Sequence, residues 1–518
     1  MWLPQFGWVL AMMMSCMYCV DGTPATRTAA AKRPKSSSSS QAPTRSPIVP
    51  DLCSKAPDMK IICHCATDAR RLVTKADCWI LGSDLSRKDP IWAAFYAHTS
   101  ITEVKFITFA QGNLTYVPSR AVRILSILSK ISVSFTQITE IGPYALSNAT
   151  HLAKVEFTNN TQLRSLRRYA FANHPVLFDV NLEANSISQL EPQTFVNLPH
   201  LEVLRLGYNN ITTLPDDVFG SLGKLKELHA QHNQIAQLSR DIFKGLGNLL
   251  MLDLSSNNLT FIGNTVFAEL WSLQELAMQN NKIEQVSERA FDGLNNLHTL
   301  QLQHNRLIAL HNGIFTVVPA LNSLNLLDNQ LETLTFENLH PIYDNLKRIN
   351  SELNIDENKL ICDCRLTWIF EFRNITNNTK LRHSLRDLEC ILDPSRAGGV
   401  QIIPRKKVRL EYYDTDEADT EEANEIIAPK THVSDQGPRA VRLLSLMKEQ
   451  LPCHQELQYP TELPKPQESI KVISHAERDE LHQTTSSSGT GVSLVSGLVI
   501  LIVSIHALTA PPLPSVIN

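Results

Sequence analysis

The chain carries none of the short signatures of catalysis. It has no G-x-S-x-G nucleophile elbow, no phosphate-cradling loop and no H-E-x-x-H zinc helix. An excess of one charge is missing too. The 48 Lys and Arg face 52 Asp and Glu, a formal −4, which argues against a dedicated nucleic-acid binder. Cysteine is absent from the long stretch between Cys78 and Cys362, so the middle of the chain has no disulfide framework. No Lys or Arg precedes Arg27, and none follows the apolar run 492–508. The first gap weakens a conventional signal-peptide start. The second leaves that run without the basic cytoplasmic flank of an ordinary spanning helix.

What is present is a repeat. The pattern L-x-x-L-x-L-x-x-N-x-L begins at Leu177, Leu201, Leu225, Leu249, Leu273, Leu297 and Leu321. Its asparagine falls at Asn185, Asn209, Asn233, Asn257, Asn281, Asn305 and Asn329, in steps of 24 residues. A phenylalanine ladder keeps the same step: Phe171, Phe195, Phe219, Phe243, Phe267, Phe291 and Phe315. A period in the twenties with this spacing predicts a leucine-rich-repeat solenoid. Leu204 and Leu206 alternate with polar positions, the period of a strand with one buried face. One turn cannot bury its own leucines, so a core forms only by stacking. The expected fold class is α/β: a curved parallel sheet on the concave side, with asparagine amides bonding backbone groups in the bends and phenylalanines filling the wider outer side. Degenerate turns extend the array over residues 101–360, about ten or eleven turns in all, with Thr136 where an asparagine is expected and Asn160 and Asn358 at irregular ends.

The termini read as export and anchorage. Residues 1–22 resemble a signal peptide cut near Gly22, which removes Cys16 and Cys19. Residues 23–52 form a basic Ser/Pro-rich segment with no capacity for a core. Its Lys32-Arg33-Pro34-Lys35 cluster could touch sulfated glycans or simply be solvated. Eight cysteines remain, four in a segment 53–100 before the array (Cys53, Cys63, Cys65, Cys78) and four in 361–453 after it (Cys362, Cys364, Cys390, Cys453). In an oxidising compartment these staple caps over the apolar ends, at about 3–4 kcal/mol per bridge. Four cysteines allow three pairings, and the spacing does not choose among them. Zinc at Cys63-His64-Cys65 or Cys362-Asp363-Cys364 fits poorly, because both are C-x-C. Seven N-x-[ST] sequons begin at Asn113, Asn148, Asn159, Asn210, Asn258, Asn374 and Asn377. An acidic insertion near 411–440 follows Tyr412 and Tyr413, which resemble tyrosine-sulfation substrates. A polar stalk spans 454–488, and 489–518 reads as the propeptide of a glycosylphosphatidylinositol anchor, with Ser486, Ser487, Ser488 and Gly489 as attachment candidates. A single-pass helix with almost no cytoplasmic tail is the alternative.

His229, His232 and His304 fall on outward-facing positions of three strand patterns. His229 and His304 lie three turns apart, roughly 15 Å at strand spacing, so they are expected as recognition residues rather than a metal site. No catalytic, cofactor or metal site is expected. The outward strip Glu156, Asn181, Arg205, His229, Asp253, Ala277, Gln301 and Asn325 is polar and mixed in sign, a surface for proteins that does not repel a second copy of itself.

The caps carry a resemblance. Asp77-Cys78-Trp79 and Asp89-Pro90-Ile91-Trp92 before the array, with ICDCRLTWIFEFRN and LRHSLRDLEC after it, are similar to those of insect leucine-rich-repeat cell-adhesion proteins that are lipid-anchored. The similarity spans most of 53–390, and leaves out the low-complexity head and the acidic insertion. It implies homophilic adhesion between cells, notably motor axons and their muscle targets, at the outer leaflet of the plasma membrane. Similar caps in this superfamily pair first with third and second with fourth cysteine, which implies Cys53–Cys65, Cys63–Cys78, Cys362–Cys390 and Cys364–Cys453. Two other classes compete: a lipid-anchored co-receptor for a different protein, and a secreted matrix component.

Glycan placement narrows the expected docking face. Asn159, Asn210 and Asn258 adjoin ladder asparagines, on the flank where the chain leaves the strand, and no sequon lies between Asn258 and Asn374. Sugars obstruct dehydrated contact. The partner is therefore expected on the turns from Leu273 to Leu331, with Glu275, Gln279, Gln301, Gln303, His304, Asn325 and Asp328 facing it.

Overall fold

The computed structural model describes residues 51–54, 59–109, 111–392 and 439–453. The signal peptide, most of the basic head and of the acidic insertion, Tyr412, Tyr413, the stalk and the anchor candidates lie outside the described residues.

Thirteen strands form one sheet, and all but the first two neighbours are parallel. The antiparallel pair Ile61–Thr67 and Val73–Ile80 opens it. Eleven strands of the array follow in chain order, from Glu103–Thr108 to Glu352–Asn354. The register is one turn per strand: Leu204 pairs with Leu228, Leu228 with Leu252, Leu252 with Leu276. Every central leucine of these strands is fully buried. Burial of one such side chain is worth about 1.5–3 kcal/mol, but only because the next turn covers it. Helices lie outside the regular turns, at Ser119–Ile124 near the start and from Phe336 onward. The back of the array is made of turns and short two- or three-stranded sheets. There the phenylalanines are buried and stack in pairs, such as Phe171 on Phe195 at 5.5 Å and Phe243 on Phe267 at 5.9 Å between ring centroids.

The asparagine ladder holds the bends. Asn209 Nδ2 donates to the carbonyls of Leu206 and Gly207 in its own turn and of Leu182 one turn earlier. Its Oδ1 accepts from the Ile187 N–H at 3.0 Å. Asn233, Asn257, Asn281, Asn305 and Asn329 repeat the set. At the degenerate start, the Thr136 hydroxyl donates to Asn160 Oδ1. The residue before each ladder asparagine is left-handed: Ala184 (φ 56), Tyr208 (φ 56), His232 (φ 52), Ser256 (φ 53), Asn280 (φ 57), His304 (φ 56) and Asp328 (φ 49). None is glycine, so each bend carries a backbone cost that the amide bonds around it outweigh.

Disulfides close both ends. They join Cys53 to Cys65, Cys63 to Cys78, Cys362 to Cys390 and Cys364 to Cys453. Trp92, Phe95 and Phe106 pack edge-on or stacked beneath the first turn. The Trp92 indole N–H reaches the Tyr116 hydroxyl and the Ser86 carbonyl at 3.1 Å. At the other end Trp368 donates to the Leu334 carbonyl at 2.8 Å, tying the helix Thr367–Ile375 to the array.

Candidate functional site: the sheet face

Each short strand presents its first and third residues outward, on either side of a buried leucine. Stacking turns these positions into two columns. In the first half they hold a connected set of charges. Lys130 pairs with Glu156 at 2.9 Å, and Lys154 bridges Glu156 at 3.3 Å and Asp179 at 2.8 Å. Arg205 meets the other Asp179 oxygen at 2.7 Å. Burial works to raise the Glu156 carboxyl, but Lys130 and then Lys154 outweigh it and hold its pKa below the ordinary value. Lys154 is raised, chiefly by its bond to Asp179.

The same columns in the second half read Met251 and Asp253, Glu275 and Ala277, Thr299 and Gln301, Ser323 and Asn325. Among the described residues, neither Asp253 nor Glu275 forms an ion pair, and Ala277 is buried. Several polar groups here serve the bend. Asp253 Oδ1 accepts from the Ser255 N–H and Asn325 Oδ1 from the Leu327 N–H, as Asn181 does with Glu183.

Of the residues expected to face a partner, Glu275 and Gln301 are half-exposed on the strands. His304 and Asp328 are exposed in adjacent bends and bonded to each other at 2.9 Å. Gln279 and Gln303 are half-exposed as well, but their amide oxygens are shielded and have no hydrogen-bond partner among the described residues. They sit in the column just past the strand, where the next turn covers them. Asn325 is half-buried and engaged by its bend.

The histidines do not converge. His229 lies on a strand beside Glu227 at 3.3 Å. The other two belong to the bends, not the strands, because both are left-handed residues. His232 stacks on Tyr208 at 4.4 Å. Among the described residues, one cluster has the spacing to hold a cation, Asp51, Cys53 and His98, but the Cys53 sulfur is spent in its disulfide.

Asn159 and Asn210 are exposed and Asn258 half-exposed, all on the flank after the strand. Asn148 is exposed in a back-side turn, and Asn374 and Asn377 are exposed in the C-terminal cap. Asn113 is half-buried and its amide oxygen is shielded. Its backbone N–H is bonded to the Gly82 carbonyl.

Two features escaped the linear reading. The Lys130–Arg205 charge chain was visible only as unlike charges about one repeat apart. The column after the strands also holds a bond across two turns: Gln231 Nε2 reaches Glu183 Oε1 at 3.3 Å. Gly207 permits it, since a Cβ there would lie 2.7 Å from the Gln231 side chain.

The leucine rich repeat family matches residues 175–235, 225–283 and 252–307. Connectin of Drosophila melanogaster is 53% identical over 354 residues, covering 68% of this chain and 52% of that protein. The chain thus spans about half that relative's length. Among solved structures, the Toll–Spatzle complex of Drosophila aligns at 23% identity, over 58% of this chain and 47% of that one, with a TM-score of 0.47. A leucine-rich-repeat protein of Leptospira interrogans aligns at 21% identity, over 62% and 77%, with a TM-score of 0.46. With the repeat register, the disulfide-closed ends and the similarity to Connectin together, the chain is a leucine-rich-repeat protein of the connectin-like kind.

Proposed function

We propose that this protein acts at the cell surface in adhesion and recognition, binding a protein on an apposed cell, first of all a second copy of itself. The likeness to Connectin supports the reading, as do the seven sequons and four cap disulfides of a chain built for export. The observation that carries it is the second half of the sheet face. Its strand positions are mostly polar and form no ion pair among the described residues, a nearby pair, His304 with Asp328, lying in the bends, and no sequon lies between Asn258 and Asn374. By resemblance the setting is contact between motor axons and muscle. A glycosylphosphatidylinositol anchor at Ser486 to Gly489 holds the chain to the outer leaflet.

Expression in non-adherent cells tests the mode. Labelled expressers should cluster with one another and exclude non-expressers; mixed clusters would replace self-recognition with a heterologous ligand. Glu275→Arg with Gln301→Arg changes open positions and should abolish clustering while leaving surface display intact. Persistence of clustering in that variant, with loss in Arg205→Glu plus His229→Glu, would move the site to the charged half. For the anchor, phosphatidylinositol-specific phospholipase C should release the protein from intact cells, and full retention beside a released control would reject it.

A further inference from the structure

Behind the sheet, where the N-terminal cap meets the first turns, lies a groove of about 370 Å³ unrelated to the face described above. Arg87, Arg120 and Arg123 line it, with Tyr116 at its base and Tyr144 at its rim. The Arg87 guanidinium stands 5.3 Å from the centre of the Tyr116 ring, a cation–π contact that holds it in place while leaving its N–H groups available. Arg120 is held by a bond to the Lys88 carbonyl at 3.4 Å. Among the described residues, none of these three arginines forms an ion pair. The one acid lining the groove, Glu140, is bonded to Arg167 at 2.8 Å, which also serves Glu191, and is outnumbered by the three arginines. A net positive, pre-organised surface results.

The surface continues onto the array. Tyr144 is 48% exposed and stacks on Tyr169 at 5.5 Å, and Arg168 lies over the Tyr169 ring at 5.9 Å. The groove's arginines, the exposed Tyr144 and, through the Tyr144–Tyr169 stack, Arg168 thus form one continuous run. Forks match tetrahedral oxyanions through paired N–H donors, and an exposed tyrosine face suits the flat C–H face of a pyranose ring. A small anion would use one fork and leave the ring and the neighbouring turn unused. A chain of sugars with an anion on successive units uses all of them.

We propose that this groove binds a sulfated glycosaminoglycan. The proposal is independent of the adhesive mode, because the groove shares no residue with the proposed partner face.

The test uses the glycosylated full-length protein, released from cells, on immobilised heparin. Arg87→Gln with Arg120→Gln and Arg123→Gln should weaken binding at least about tenfold and make affinity less dependent on salt, since fewer counterions are released. Tyr144→Ala should weaken binding a few-fold without altering the salt dependence. Lys32→Gln with Arg33→Gln and Lys35→Gln, in the basic head, should leave most of the affinity. In the unaltered protein, heparin should shield Arg87 and Arg123 from phenylglyoxal, read by mass spectrometry, a measurement that needs no variant to fold. Retention of wild-type binding by the folded triple variant, or modification of both arginines unchanged by heparin, overturns the proposal. Equal binding of desulfated heparin overturns it as well. Displacement of heparin by a tyrosine-sulfated peptide at matched charge would reassign the groove to an acidic protein segment.

Discussion

From Lys130 to Arg205 the sheet face is a chain of ion pairs, whereas from Met251 to Asn325 the same backbone positions hold, among the described residues, two carboxylates outside any ion pair among neutral side chains. The strands are in the same register in both halves, and the ladder asparagines beneath them make the same set of bonds, with the Oδ1 of Asn209 and of Asn305 each accepting at 3.0 Å. The scaffold is thus indifferent to what the face carries. In the first half the charges satisfy one another and hold the face together. In the second they leave the face free to be satisfied from outside, which is what recognition requires.

The largest effect should come from what the halves share. Asn209→Ala and Asn305→Ala each remove an amide that bonds two adjacent turns and leave buried carbonyls and one N–H unpaired. Each should cost roughly 3 kcal/mol in equilibrium denaturation. A difference between them above about 1 kcal/mol would break the claim of common support.

The next effect should separate the halves. Asp179 is buried and serves both Lys154 and Arg205. Asp179→Ala leaves Arg205 without its partner and Lys154 with Glu156 alone, and should cost about 2 kcal/mol, below the range for a fully buried pair because both cations still reach water. A loss below about 0.5 kcal/mol would mean that the chain of pairs does not hold the face.

Acid should act on the two ends in opposite directions. The pKa of Glu156 is lowered in the fold, so its contribution is present above the unfolded carboxylate value of about 4.3. It is lost as pH falls through the lower folded value. Asp356, in the last turn, is raised by burial, with Glu357 and Asp387 adding to that against a bond from Ser384. Its contribution is present below its unfolded value and is lost as pH rises through the folded one. Hydrogen exchange on lowering the pH from about 5 to about 3 should show strand Lys154–Thr158 losing protection, an effect reduced by Glu156→Gln. Asp356→Asn should leave that loss unchanged while removing the opposite trend near residue 356.

The smallest effect should lie on the open face. Glu275→Ala and Gln301→Ala should each change stability by no more than about 0.5 kcal/mol. A thermal scan showing a larger loss would mean that these side chains support the fold and are not held in reserve for a partner.

Much of this was legible along the chain. The 24-residue step gave the solenoid, and a buried leucine at each strand centre follows from its alternation with polar neighbours. The exposed flank of Asn159 and Asn210 followed from their places beside ladder asparagines. Other residues were not legible. Gln279 and Gln303 look as polar as Gln301, yet their amide oxygens are shielded because they sit one step beyond the strand. His232 and His304 look like strand residues, yet they occupy left-handed bends. Arg87, Arg120 and Arg123 are scattered along the sequence, and only the packing of cap against first turn gathers them around Tyr116.

The sequence by itself determined the repeat, the inward face of the regular strands, the asparagine at each regular bend and the cysteines available to the caps, because each depends on a spacing within one turn or on a step that recurs. Tertiary structure alone decided which cysteines joined, which charges met and which amides lost access to water. Those outcomes depend on distances between side chains far apart in the chain, which the linear order does not contain and which cap folding and, within the array, stacking at about 4.8 Å set.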